Sequence, residues 1–117
     1  MNRVLAYIEH IREAARLALS YTEGMQHADF LADTRTQQAV VMNLIIIGEA
    51  ATKLLNENTE LAACYPQVAW RNMRGMRNRL AHGYFEIDMD IVWDTVHNAL
   101  PDLILKLNTV SSDTQPS

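Results

Sequence analysis

AVVMNLIIIGEAATKLL, residues 39–55, decides the fold of this chain. Its β-branched triplet Ile45, Ile46 and Ile47 admits a buried strand, but the Ala, Glu, Lys and Leu residues beside it favour helix over a much longer span. Apolar residues occupy nearly the whole circumference of that helix from Val41 to Ile47, which puts it at the centre of a helical bundle or in a subunit interface. The run AVVMNLIIIG is interrupted by Asn43 and falls short of the roughly 20 apolar residues that cross a bilayer. A buried helix rather than a membrane span is expected. Thr34 and Gln37 stand at capping-box spacing just upstream, so the helix is expected to start there and to end near Asn56.

Towards the N-terminus, Val4, Ile8, Ile11, Ala15 and Ala18 recur at three- and four-residue steps. They predict a one-sided amphipathic helix from Arg3 to Glu23, closed by Gly24 in a left-handed cap. Met25 to Asp33 is expected to be a turn or a short helical piece. Towards the C-terminus, Pro66 opens a third helix that ends at His82, with Gly83 as its stop. Asp88 caps a fourth helix and places Asp90 in its first turn. Pro101 removes a backbone donor there and predicts a kink or break between His97 and Leu100. With no repeat and no convincing strand, the expected architecture is all-α, a four- to five-helix up-down bundle over residues 1–109 followed by a disordered polar tail, 110–117.

A chain of 117 residues and 13.3 kDa is expected to form a single domain that buries about two thirds of its unfolded surface. Its net charge of −4 argues against indiscriminate coating of nucleic acid. The lone Cys64 cannot form an internal disulfide, and MNRVLAYIEHIREA does not read as a cleavable leader, so a reducing cytoplasm is the expected location.

Charge is unevenly placed. Leu61 to Phe85 holds no Asp or Glu, yet carries Arg71, Arg74, Arg77 and Arg79, four of the ten Lys and Arg residues. Within it RNRLAHGY, residues 77–84, sets Arg77, His82 and Tyr84 at R-x4-H-x-Y spacing. Arg can grip phosphate oxygens bidentately and His can carry protons near neutral pH, so the pattern suits a phosphodiester that must be held and attacked. Asn78 and His82 lie one helical turn apart, but Arg77 lies roughly 140° around the axis from His82. Convergence then needs a helix end that frees the imidazole, an acid on another helix that steers Arg77, or two copies of the motif facing each other in a dimer. Glu49, at the end of the apolar helix, is the acid expected to pair with Arg77.

Plainer readings stand beside these. Arg77 and Glu49 could only tie two helices together, His82 could only cap a helix end, Tyr84 could be a half-buried aromatic, and Arg71, Arg74 and Arg79 could be a solvated face. Asp90, Asp94 and His97 follow i, i+4, i+7, yet ordinary capping and surface roles explain them and no Glu-x-x-His is present, so no metal or other cofactor is expected. Cys64 has no paired His in sequence reach, and the six methionines with Trp70 and Trp93 read as core or interface filling.

NLIIIGEAATKL, then RNMRGMRNRLAHGYFEID, then IVWDTV and ALPDL, in this order and spacing, resemble the HepT-like branch of the HEPN superfamily, from about Arg3 to Asn108. The resemblance implies an all-helical homodimer and a metal-independent endoribonuclease, the toxin of a type VII-like system whose antitoxin is a minimal nucleotidyltransferase. By position it makes Arg77 and His82 the catalytic pair, Asn78 and Tyr84 supporting residues, and Tyr84 the acceptor of an AMP group from the antitoxin. Glu49 is then a supporting residue, and the absence of acids around Arg71, Arg74 and Arg79 makes these three the expected contacts to the RNA backbone. The alternative is a non-catalytic helical dimer that binds a nucleotide or docks a nucleotidyltransferase.

Overall fold

The structure, a computed structural model, describes residues 3–114. These residues are helical with no strand among them, as expected. Helix α1 spans Arg3–Tyr21, α2 His27–Leu31, α3 Thr34–Glu57, α4 Thr59–Cys64 and α5 Trp70–His82. A 3₁₀ turn, Tyr84–Glu86, leads to α6, Met89–Asp94, then a π-helical segment, Thr95–Ala99, and α7, Leu100–Thr114.

Helix α3 is the centre of the molecule, packed by α1 on one side and α5 on the other. Val40, Val41, Leu44, Ile47, Ala51 and Leu54 are buried along it, and Ile8, Ile11, Ala15 and Ala18 face it from α1 or from the core beside it. Each large aliphatic side chain buried in this way contributes on the order of 1.5–3 kcal/mol. At 24 residues α3 is long and apolar enough to cross a bilayer, but 56% of its most apolar window is already buried within the bundle. Arg3 and Tyr7 at the start of α1 reach Glu57 at the end of α3, and Tyr84 after α5 reaches Gln38 near the start of α3. These three helices therefore alternate up and down.

Local chemistry explains the boundaries. Gly24 has φ of +79°, the left-handed turn that ends α1 as expected. The cap of α3 is Asp33 and not Thr34: its carboxylate accepts from the Thr36 N–H (3.1 Å) and hydroxyl (2.7 Å). Gln37 instead turns back to donate to the carbonyls of Phe30 and Leu31. Helix α5 begins at Trp70, four residues later than expected. Pro66 sits in a turn that the Val68 N–H closes on the Tyr65 carbonyl and that the Trp70 indole braces with a bond to that carbonyl at 3.1 Å. Helix α4, unforeseen in the sequence, follows a break in the helix at Asn58, whose φ of −142° leaves the helical region.

Asp88 caps α6 through the Asp90 N–H, as expected. The break foreseen at Pro101 takes the form of the π segment, in which Leu100 N–H donates to the Thr95 carbonyl five residues back. Proline supplies no N–H and crowds the preceding turn, so the register slips by one residue there. Leu103, Leu107 and Val110 continue a buried stripe, and α7 runs to Thr114, so residues 110–114 of the tail expected to be disordered are helical. The last part of that expected tail, residues 115–117, lies outside the described residues.

Candidate functional site

Helices α3 and α5 lie in close contact at Gly48. A methyl group there would fall 2.2 Å from the Arg77 Cβ and 2.6 Å from the Met73 carbonyl oxygen, so only glycine permits this crossing. The contact lays the Arg77 side chain along α3. Its Nη2 donates to the Thr52 hydroxyl at 3.2 Å, and that hydroxyl donates to the Gly48 carbonyl at 2.8 Å. The expected partner is present: Arg77 Nε lies 3.7 Å from a Glu49 carboxylate oxygen, an ion pair too long for a hydrogen bond. Glu49 is half exposed, so the attraction is worth only about 0–1 kcal/mol. Arg77 Nε itself is buried without a hydrogen-bond partner. The guanidinium is thus held in place by Thr52 while retaining donor capacity and charge.

His82 is the last residue of α5 and is exposed. Among the described residues its imidazole forms no hydrogen bond or ion pair, and the helix is closed instead by the Gly83 N–H on the Arg79 carbonyl at 2.9 Å. The freed helix end foreseen for it is therefore present. Asn78, one turn earlier, is exposed on the same side. Arg77 and His82 do not meet within one chain: Arg77 lies against α3 and His82 stands in solvent.

Tyr84 opens the 3₁₀ turn, half exposed, with its hydroxyl 3.4 Å from the Gln38 side-chain nitrogen and its ring edge-on to Phe85. Phe85 is 99% exposed. Gln38, Met42, Ile46 and Glu49 share one outer face of α3 by helical spacing. Met42 is 57% and Ile46 40% exposed, so an uncovered apolar row runs between the residue beside Tyr84 and the residue beside Arg77.

The four arginines do not form one patch. Arg74 is partly buried, while Arg71 and Arg79 turn to the opposite flank of α5 from Arg77 and line a groove shared with α7. Asp90 and His97 are not drawn together with Asp94 as a ligand set. Asp90 meets His27 at 2.7 Å, and Trp93 is flanked by the rings of His27 and His97 at 5.4 Å and 3.9 Å. Among the described residues no group of three His, Cys, Asp or Glu side chains could hold a metal ion. Cys64 is free and exposed.

Three residues of the site escaped the sequence reading. Gly48 carried a signal, an isolated glycine inside an apolar helix, which marks a close approach of another backbone. Thr52 and Gln38 carried none, since their roles arise from the antiparallel register of α3 and α5.

Comparison with known proteins adds a family. The family description "Ribonuclease HepT-like" matches residues 11–110. The chain is 40% identical over 97 residues to a probable ribonuclease HepT of Thermococcus cleftensis, a match covering 83% of this chain and 86% of that protein. It is 36% identical over 110 residues to a protein of Methanocaldococcus jannaschii named as a candidate RNase, covering 94% and 88% respectively. No solved structure gives a significant match.

Proposed function

The chain belongs to the HepT-like ribonuclease family, and from that premise we propose that it is a metal-independent endoribonuclease whose R-x4-H-x-Y residues cleave RNA by attack of the 2′-hydroxyl. The observation that carries the reading is the division of labour on α5. One end presents an imidazole free in solvent, and five residues earlier a guanidinium is fixed by Thr52, with its Nε near Glu49 but without a hydrogen-bond partner.

RNA carries its own nucleophile. Cleavage needs a base for the 2′-hydroxyl proton, an acid for the leaving 5′-oxygen, and positive charge on the phosphorane. His82 transfers protons, Arg77 supplies fixed charge, Asn78 contributes a hydrogen bond and Tyr84 a further donor. Because Arg77 and His82 stay apart in one chain, the working site is assembled from two chains, one His82 acting as base and the other as acid. The uncovered row Met42 and Ile46, with Phe85 beside it, supports a homodimer through this face. The products are a 2′,3′-cyclic phosphate and a free 5′-hydroxyl.

In the cell, by this reading, the protein is a cytoplasmic toxin of a type VII-like pair, restrained by a minimal nucleotidyltransferase. An AMP group on Tyr84 places a bulky anion where the RNA phosphate must lie. The half-exposed Tyr84 side chain supports that switch.

Cleavage of an RNA oligonucleotide by the purified protein in excess chelator tests the reaction. His82→Ala should abolish cleavage with melting unchanged, and a single deoxyribose at the cut position should block it. Cleavage by the His82→Ala protein equal to that of the unmodified protein would refute the assignment. The dimer is tested separately: Met42→Glu with Ile46→Glu should sediment as a monomer and lose activity.

A further inference from the structure

A second concavity lies on the flank of α5 opposite Arg77. It is a groove of about 440 Å³ between α5 and the π segment with α7, within the roughly 300–1,000 Å³ usual for small-molecule sites. Its floor is apolar, formed by Leu44, Met73, Leu100 and Leu103 from three helices. Its rim carries Arg71 and Arg79 from α5 and Lys106 from α7. Lys106 is held by Asp102 at 2.8 Å, and Asp102 is the one acid among the lining residues. Among the described residues neither Arg71 nor Arg79 has a hydrogen-bond or ion-pair partner.

Gly75 opens the groove. A Cβ built on it would meet only the far end of Arg79, at 3.5 Å from Nη1, and otherwise open space. Arg71, Gly75, Arg79 and His82 succeed one another at steps of four, four and three residues, so they form one ridge of α5. His82 stands less than one turn beyond Arg79 along that ridge, about 4.5 Å of helix rise.

An apolar slot lined by unpaired guanidinium groups and leading to a proton-transfer residue matches one chemistry closely. A base needs an apolar surface and a planar cation to stack on, and its phosphates need fixed positive charge. We propose that this groove binds one unpaired nucleotide of the RNA substrate, with the base on the apolar floor and the flanking phosphates on Arg71 and Arg79, leading the strand to His82. The proposal rests on the ribonuclease reading and deepens it: the substrate is single-stranded at this position, because a base held in a duplex cannot enter the groove.

The test uses the His82→Ala full-length protein, so that RNA stays intact, with fluorescence anisotropy on short single-stranded RNA oligonucleotides. Adding Gly75→Leu fills the groove at a position with room for a side chain, and should weaken RNA binding about tenfold with no loss of melting temperature. An abasic residue moved along the oligonucleotide should weaken binding at one position, and that loss should vanish in the Gly75→Leu protein. Arg79→Gln, at an exposed position, should lower the slope of log affinity against log salt by about 0.7, and serves if Gly75→Leu disturbs folding.

Unchanged affinity in both variants, or an abasic effect that persists when the groove is filled, overturns the proposal. Unmodified protein that cleaves RNA while the groove variants cleave equally well would remove the groove and leave the nuclease standing. Failure of the His82→Ala protein to bind any RNA, together with no cleavage by the unmodified protein, would remove both. If groove filling spared RNA binding but released a co-expressed nucleotidyltransferase, the groove would belong to that protein instead.

Discussion

The two flanks of α5 differ in one respect that matters most, and two glycines mark it. At Gly48 the space is gone: a single methyl group would lie inside the van der Waals radius of Arg77 and Met73. At Gly75 the space is open, with only the flexible end of Arg79 nearby. The gripped flank fixes a cation by packing, and the open flank leaves cations unpaired over an apolar floor. Close packing thus positions one functional group while the lack of it admits a ligand. The helix end that carries His82 continues the ridge of the open flank.

That contrast predicts where each substitution should register. The largest effect is expected at the helix end. His82→Ala should lower the RNA cleavage rate by at least about 10²-fold, the scale of general acid–base catalysis, while thermal unfolding stays unchanged; a large fall in melting temperature would place His82 inside the packed structure. Next comes Gly48→Ala, which overpacks the α3–α5 crossing and should cost about 3 kcal/mol in denaturant unfolding. A neutral result there would break the contrast outright.

Thr52→Val keeps the volume but removes the hydroxyl that holds Arg77. About 1 kcal/mol of stability should go with the bond, and cleavage should fall further than stability does if Arg77 positioning is its role. Gly75→Ala should do the reverse of Gly48→Ala, raising stability by about 0.5–1 kcal/mol through helix propensity alone. The smallest effect lies away from α5, at the Asp33 cap. The Thr36 hydroxyl, then the Thr36 N–H, hold the Asp33 carboxyl below the ordinary aspartate range. A lowered folded pKa contributes stability above the ordinary aspartate value that is lost as pH falls through the folded value. Asp33→Ala should flatten that acid limb in melting curves taken across pH.

Much of this was legible in local patterns. The 3.6-residue period of α1, the all-round apolarity of α3, the Asp88 cap and the interruption at Pro101 each follow from a few neighbouring residues. The misreadings share a cause. Thr34 and Gln37 satisfied a capping pattern, but Asp33 one residue earlier offered a charged acceptor and won. Pro66 suits a first helical turn, but Trp70 and Val68 anchored to the Tyr65 carbonyl gave the turn a better use for it. Each was a competition between two acceptable local solutions that tertiary contacts resolved. The pairing of Glu49 with Arg77 was anticipated from the cost of an unpaired buried charge, although the ion pair is longer and more exposed than that reasoning required.

Residue identity by itself determined that this chain is helical, which residues form its central helix, and that an acid-free window carries Arg77, His82 and Tyr84. Those properties depend on side-chain chemistry within a turn or two of chain. Tertiary structure alone decided that Gly48 presses Arg77 against Thr52, that Gln38 meets Tyr84, and that Arg71 and Arg79 share a groove with Lys106 on the far flank. Such contacts join residues tens of positions apart, and they depend on the register and separation of packed helices, quantities set by the summed fit of every side chain between them.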